Sequence, residues 1–448
     1  MSHRPLKIGL VIAVSLHAFD ELVLTIALPT IVNDLGGGDW YGVSLASYIL
    51  ASLIGGVWGG TSTDKRGPLK IFILGYSLFL AGLVMAMLAK DMNQFILARC
   101  LQGLGGGISW TVAFAVTNIA IPSTDRPKMV AWLDSAWLVP SLLAPTIGGY
   151  LIDYLDWHWI FLIQIPFVFI AGLLLYPHLL PLSKTEIDHS KNSSRALWGA
   201  CRIALGAAIL VTVLARNIDW SWLLIPVAAW ILWRPLLKAM PEGFIVARAG
   251  LAAAVMLHFL MFYSFYGMEL FMPLLLIEVR GLSSSVTGLV FTSCAVTWIA
   301  ASFLQARLSK TWALSQSLGR GMVIVLVGLV MVSSLLIPTM PLWVIYLGWA
   351  IAGFGMGIAF NSVVSASMDF TKAGAEGATS TANGIAASLG IGLSAGLGGA
   401  INNHGNFIGA SLTQSLTVIW GVAIFACLLG LWIVVLRFKD RPASAEAI

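Results

Sequence analysis

The sequence predicts an all-α polytopic membrane protein with fourteen transmembrane helices, and three observations predict it. Of its 448 residues, 58% are hydrophobic and only 10% are charged, whereas a soluble globular domain carries about a quarter charged residues. A lipid core needs about 20 apolar residues per helical crossing. Runs of that kind fall at 8–32, 40–60, 69–89, 93–118, 129–151, 158–177, 198–215, 219–237, 250–277, 285–308, 317–337, 341–367, 377–400 and 413–436. The third observation is charge placement. With the N-terminus in the cytoplasm, 21 of the 25 Lys and Arg fall in cytoplasmic segments, three (Lys90, Arg216, Arg280) fall outside, and Arg99 lies within a span. This bias is the positive-inside signature of a multi-pass protein of the cytoplasmic (inner) membrane with both termini cytoplasmic. The pair 198–215 and 219–237 stands or falls together, because dropping one would invert every later loop. Dropping both would keep the bias and leave twelve helices.

Composition also bounds the function. The net charge of +5 lies in loops that obey the positive-inside rule, so it implies no nucleic-acid partner. The four cysteines (Cys100, Cys201, Cys294, Cys427) each sit alone in an apolar run, with neither metal-ligand nor disulfide spacing. There is no GxxxxGK[ST] phosphate loop, so ATP-driven pumping has no sequence support and no enzyme activity or cofactor is implied. The first apolar run contains Asp20 and Glu21 and lacks a small-residue cleavage site, so it reads as a retained helix.

Taken in order, the spans carry a short set of polar residues. His17, Asp20 and Glu21 lie mid-span in the first, with His17 one turn from both acids. Asp20 and Glu21 are about 100° apart around the helix and face different surroundings. The second span closes in a turn from Gly60 through Asp64, Lys65 and Arg66 to Gly67. The fourth holds Arg99, Gln102 and the run Gly103-x-Gly105-Gly106-Gly107, read as a helix-packing surface. In the fifth, Asp134 precedes Pro140, Pro145, Gly148 and Gly149, and two prolines in a helix interior kink the chain. Glu269 shares a face of the ninth span with Phe262, Tyr266 and Pro273. Acids this deep cost several kcal/mol unless they are paired or put to use. Asp20, Glu21, Arg99, Asp134 and Glu269 are therefore the expected proton-coupling residues. Trp132 and Tyr266, whose rings can stack on a flat cation, and Asn361 join Asp20, Asp134 and Glu269 as expected substrate contacts. His17 and His258 are weaker candidates.

Several of these stretches resemble one family. The turn at 60–67 is similar to the GxLADRxGRK loop of the major facilitator superfamily, with Pro68 and Leu69 where two basic residues are expected. Arg99 to Gly107 matches its fourth-helix pattern RxxQGxGxx. The stretch Pro140-x-x-x-Ala144-Pro145-x-x-Gly148-Gly149 resembles the antiporter motif GxxxGPxxGG, with Pro and Ala replacing two glycines. Trp157 to Pro166 is similar to WRWIFLINxP of the 14-helix drug:proton antiporters, with His158 for Arg and Gln164 for Asn. Asp20 to Ile31 is similar to their DxTIVNVALPxI. The resemblance covers nearly the whole chain and is looser after 290.

It implies a major facilitator fold: a six-helix bundle at 1–177, a linker at 178–197, an inserted helix pair at 198–237, a linker at 238–249, a second six-helix bundle at 250–436 and a tail at 437–448. It implies a proton-coupled exporter, working by alternating access, of amphipathic cationic or zwitterionic small molecules. The proton gradient is its energy source, the lipid bilayer its surroundings, and a monomer is expected. Gly60, Asp64, Arg66, Gly67, Pro140, Pro145, Gly148 and Gly149 are implied gating residues. The alternative within the same family is export of an endogenous lipid, siderophore or metabolite.

Overall fold

A computed structural model describes residues 4–122, 129, 132–133, 135–184, 193–215, 223–372 and 375–438. Asp134, residues 219–222 between the inserted helices, residues 185–192 of the first linker and the tail from 439 lie outside the described residues.

The chain divides into two compact units. The first comprises Met1–Pro235, Leu276–Leu289 and Ala395–His404. The second comprises Leu236–Leu275, Val290–Ser394 and Gly405–Ile448. The helices of the first are α1 (Arg4–Leu35), α2 (Tyr41–Arg66), α3 (Pro68–Met87), α4 (Met92–Ala120), α5 (Leu138–Tyr154), α6 (Trp159–Leu179), α7 (Ser193–Ala215) and α8 (Leu224–Ala239). The rest are α9 (Leu251–Glu269), α10 (Ser284–Leu308), α11 (Leu314–Ser333), α12 (Trp343–Asp369), α13 (Glu376–Phe407) and α14 (Leu412–Arg437). Among the described residues, eleven helices are long and apolar enough to cross a membrane. The other three of the predicted fourteen are α4, which carries Arg99, and α5 and α8, which are 17 and 16 residues long.

In the first unit α4 packs against α2 and α3, α1 against α5 and α6, and α7 against α2. The glycine run explains how closely α4 approaches its neighbours. A methyl group on Gly103 would stand 2.2 Å from the Tyr48 carbonyl oxygen, and one on Gly107 2.1 Å from that of Ser52, both on α2. Membrane helices gain association energy chiefly from such close packing. In the second unit α11 packs on α12 and α14, and α9 on α12 and α14.

Two helices break where proline demands it. The span predicted as 129–151 interrupts at Ala136–Trp137, four and three residues before Pro140, because the ring of that proline clashes with the carbonyl of residue i−4. Pro140 thereby enters the first turn of α5, where its missing N–H leaves no helical bond unmade. Similarly, α9 stops at Glu269, four residues before Pro273, and the chain continues through a π-helical segment at Leu274–Val279. The span expected as continuous over 250–277 is thus a broken helix with an acid at its break.

Candidate functional site

The first unit buries an ion pair. Asp20 on α1 is 0% exposed and Arg99 on α4 is 1% exposed. Arg99 Nη1 donates to Asp20 Oδ2 at 2.7 Å and to Gln102 Oε1 at 2.9 Å. Gln102 Nε2 donates to Asp20 Oδ1 at 3.1 Å, and Gln164 Nε2, from α6, to the same oxygen at 3.2 Å. The i, i+3 spacing of Arg99 and Gln102 puts both on one face of α4. Gln164 is oriented by a second bond, to the Ile160 carbonyl at 2.9 Å. The carboxylate thus receives one ionic and two amide hydrogen bonds. This is the arrangement under which a buried charge pair is tolerated.

A second shell of rings surrounds the pair. The Arg99 guanidinium lies 4.2 Å from the centroid of the Tyr48 ring, within cation–π range. The Tyr48 hydroxyl shares a 2.5 Å hydrogen bond with His17 Nδ1, and the His17 ring also contacts Trp110 and Trp137. Gly106 makes room for this: a methyl group there would fall 2.5 Å from His17 Nδ1 and 3.0 Å from the Tyr48 hydroxyl. His17, one turn from both acids in sequence, hydrogen-bonds to Tyr48.

The remaining predicted residues of this unit lie elsewhere on it. Glu21 is half-buried and feels the charges of Arg99 and Asp20. Trp132 is 63% exposed, and Asp134 is outside the described residues. The backbone of Asp64 is helical, and its side chain is outside the description; Arg66 is exposed. Gly67 ends α2 at φ 77° and ψ 158°, its N–H donating to the Thr63 carbonyl at 3.0 Å, a positive-φ conformation that glycine adopts without strain. Gly60 packs against Thr111. On α5, Gly148 meets Val23 of α1, and a methyl on Gly149 would fall 2.4 Å from the Ser284 carbonyl oxygen.

That last contact belongs to a helix cap. Asp153, past the predicted span, accepts from the backbone N–H of Ser284 at 3.0 Å, and from the N–H and hydroxyl of Ser285 at 2.8 and 2.5 Å. Ser283 Oγ takes the Val286 N–H and the Ser283 carbonyl takes that of Thr287. The opening donors of α10, which have no helical partners, are all satisfied. Partial burial works against the charged form of Asp153, but the bonds from Ser285 and Ser284 outweigh it and hold the carboxyl below the usual aspartate range.

In the second unit Glu269 is buried at the break of α9, beside Cys294. Tyr266, one turn earlier, stacks on Phe262 with centroids 5.6 Å apart. Asn361 donates to the Gly357 carbonyl of its own helix.

Sequence reasoning gave no role to Gln102, Gln164 or Tyr48. Gln102 stood in the fourth-helix pattern RxxQGxGxx and Gln164 in place of the asparagine of WRWIFLINxP, so both were visible as motif positions. Tyr48 had no signal, because its role depends on how α2 lies against α4.

Comparison with known proteins agrees with this architecture. The family model described as Major Facilitator Superfamily matches residues 10–395. The chain is 25% identical over 412 residues to Multidrug resistance protein 3 of Bacillus subtilis (strain 168), covering 89% of this chain and 79% of that one. It is 26% identical over 322 residues to the multidrug efflux pump SdrM of Staphylococcus aureus (strain N315), covering 68% and 70%. Among solved structures it resembles a D-xylose-proton symporter (TM-score 0.70, 15% identity, 99% and 98% coverage) and the human organic anion transporter MFSD10 (TM-score 0.62, 15% identity, 97% and 100% coverage). At these identities the structural likeness concerns the fold.

Proposed function

Since this chain belongs to the major facilitator superfamily, we propose that it is a proton-coupled exporter of amphipathic, cationic or zwitterionic small molecules, working by alternating access in the cytoplasmic membrane. The observation that carries this reading is the Asp20–Arg99 pair, buried at 0% and 1% exposure and closed by two glutamine amides. A buried pair of this kind has two states of very different energy. With Asp20 ionised, Arg99 is neutralised. With Asp20 protonated, a buried guanidinium loses its counter-charge, a loss of about 3–5 kcal/mol when a pair is broken. That is enough to shift a conformational equilibrium by about two to nearly four orders of magnitude. Proton binding at Asp20 thus supplies the drive, and transport of a cationic compound in the opposite direction completes the cycle. Two relatives bear names that describe multidrug resistance and efflux, which supports the outward direction of transport in this reading.

Uptake of a fluorescent cation into inverted membrane vesicles, with and without an imposed proton gradient, tests the reading. Wild type is expected to transport only with the gradient, and Asp20→Asn to lose transport while still inserting in the membrane. Equal transport with the gradient collapsed would reject the coupling. An unchanged dye response together with altered envelope lipids in a deletion strain would favour the endogenous-metabolite alternative.

A further inference from the structure

The second unit carries a polar group that the proton-coupling account does not use. His258 on α9 is 5% exposed, yet neither ring nitrogen completes a hydrogen bond of normal geometry with the described residues. Buried imidazole nitrogens almost always have partners, and each exception calls for an explanation. The Asn383 side chain of α13 stands near enough to engage one ring nitrogen, since its Oδ1, which accepts from the Ser367 hydroxyl at 3.3 Å, has a second lone pair; a single neighbour of this kind leaves the other nitrogen to be accounted for.

The surroundings of His258 are aromatic. Phe262 lies 4.9 Å from it and Phe360, on α12, 5.7 Å in an edge-on arrangement, by ring centroids. Phe262 stacks in turn on Tyr266, and Trp298 of α10 stands 6.1 Å from Phe360. Phe262, Tyr266, Trp298 and Phe360 are all half-buried. His258, Phe262 and Tyr266 succeed one another at spacings of four, making one stripe on α9.

We propose that this stripe is a ligand site of the second unit, and that it takes planar hydroxyaromatic compounds whose hydroxyl hydrogen-bonds to His258. Two features select that class. The row of half-buried rings offers offset stacking to a flat body. A neutral imidazole presents one donor and one acceptor, and a hydroxyl, which both donates and accepts, pairs with either tautomer. A purely quaternary cation satisfies neither nitrogen. The assignment names a substrate class for the exporter proposed above and rests on that reading for its physiological meaning, but the binding it predicts needs no proton gradient.

The test is equilibrium binding of 7-hydroxycoumarin and 7-methoxycoumarin to the purified full-length protein in detergent. The two probes share their ring, and only the first donates a hydrogen bond. Wild type is expected to bind the hydroxy probe about tenfold more tightly, the order of one to two hydrogen bonds to a site that otherwise leaves a buried group unpaired. His258→Phe keeps a ring and removes both nitrogens; it should abolish the preference and leave methoxy binding within about twofold. Phe360→Ala should weaken both probes. Equal affinity of wild type for the two probes, or an undiminished preference in His258→Phe, overturns the proposal; if that variant does not fold, the wild-type comparison decides alone. Loss of proton dependence in vesicles with an intact hydroxyl preference would reject the coupling reading and leave this site standing.

Discussion

Removing the charge of Asp20 while keeping its shape leaves Arg99 buried without a counter-ion, and the physics of such pairs makes that worse than losing both. Asp20→Asn and Arg99→Gln are each expected to lower stability, by about 3–5 kcal/mol before relaxation. The double variant, which keeps only neutral hydrogen-bonding groups, should recover most of that loss and remain without transport. Thermal unfolding of the purified variants in one detergent checks it; a double variant as unstable as the sum of the singles would mean that the two residues do not act as a pair. At this scale the sequence was legible where a residue type was anomalous. An acid and an arginine in apolar spans announce themselves. The glutamines that bind Asp20 do not, since an amide is tolerated in a helix for many reasons, and Tyr48 is invisible until α2 is set beside α4.

Elements carry the next set of constraints. Gly106 is small because His17 and Tyr48 meet over it. Gly106→Ala is expected to cost about 1–3 kcal/mol, as overpacking does, and to lower transport by displacing the His17–Tyr48 pair. The same readouts on Gly172→Ala, whose added methyl meets nothing within 4 Å, supply the contrast, and equal effects at the two sites would contradict the packing account. The cap on α10 gives a prediction with a pH sign. The lowered titration point of folded Asp153 means its contribution is present above the ordinary aspartate range, about pH 4, and is lost as pH falls through the folded value. Asp153→Asn should therefore melt below wild type near neutrality, by about 0.5–2 kcal/mol as for other helix caps, and the two should converge under acid. A gap that persists or widens in acid would exclude a charge-based cap. Helix existence and order were legible from apolar run length. The breaks were not placed in advance: proline announces a kink, but whether α5 and α9 bend or stop depends on what packs beside residues 136 and 269.

For the whole molecule, apolar length and the placement of Lys and Arg were enough to read fourteen helices, because a bilayer permits so few ways of satisfying a buried backbone, whereas the major facilitator fold was legible only through the resemblance of the motifs at 20–31, 60–67, 99–107 and 140–166 to that family. The contact surfaces were less legible, since they depend on which small residues meet across helices rather than on any single segment. The central claim is that Asp20, held by Arg99, Gln102 and Gln164, carries the proton that drives export. The most direct measurement is proton movement itself: purified protein in liposomes containing a pH-sensitive dye, challenged with a transported cation. Wild type is expected to move protons opposite to the cation as soon as the cation is added, and Asp20→Asn to move none. Cation-evoked proton movement in Asp20→Asn equal to that of wild type would contradict the account.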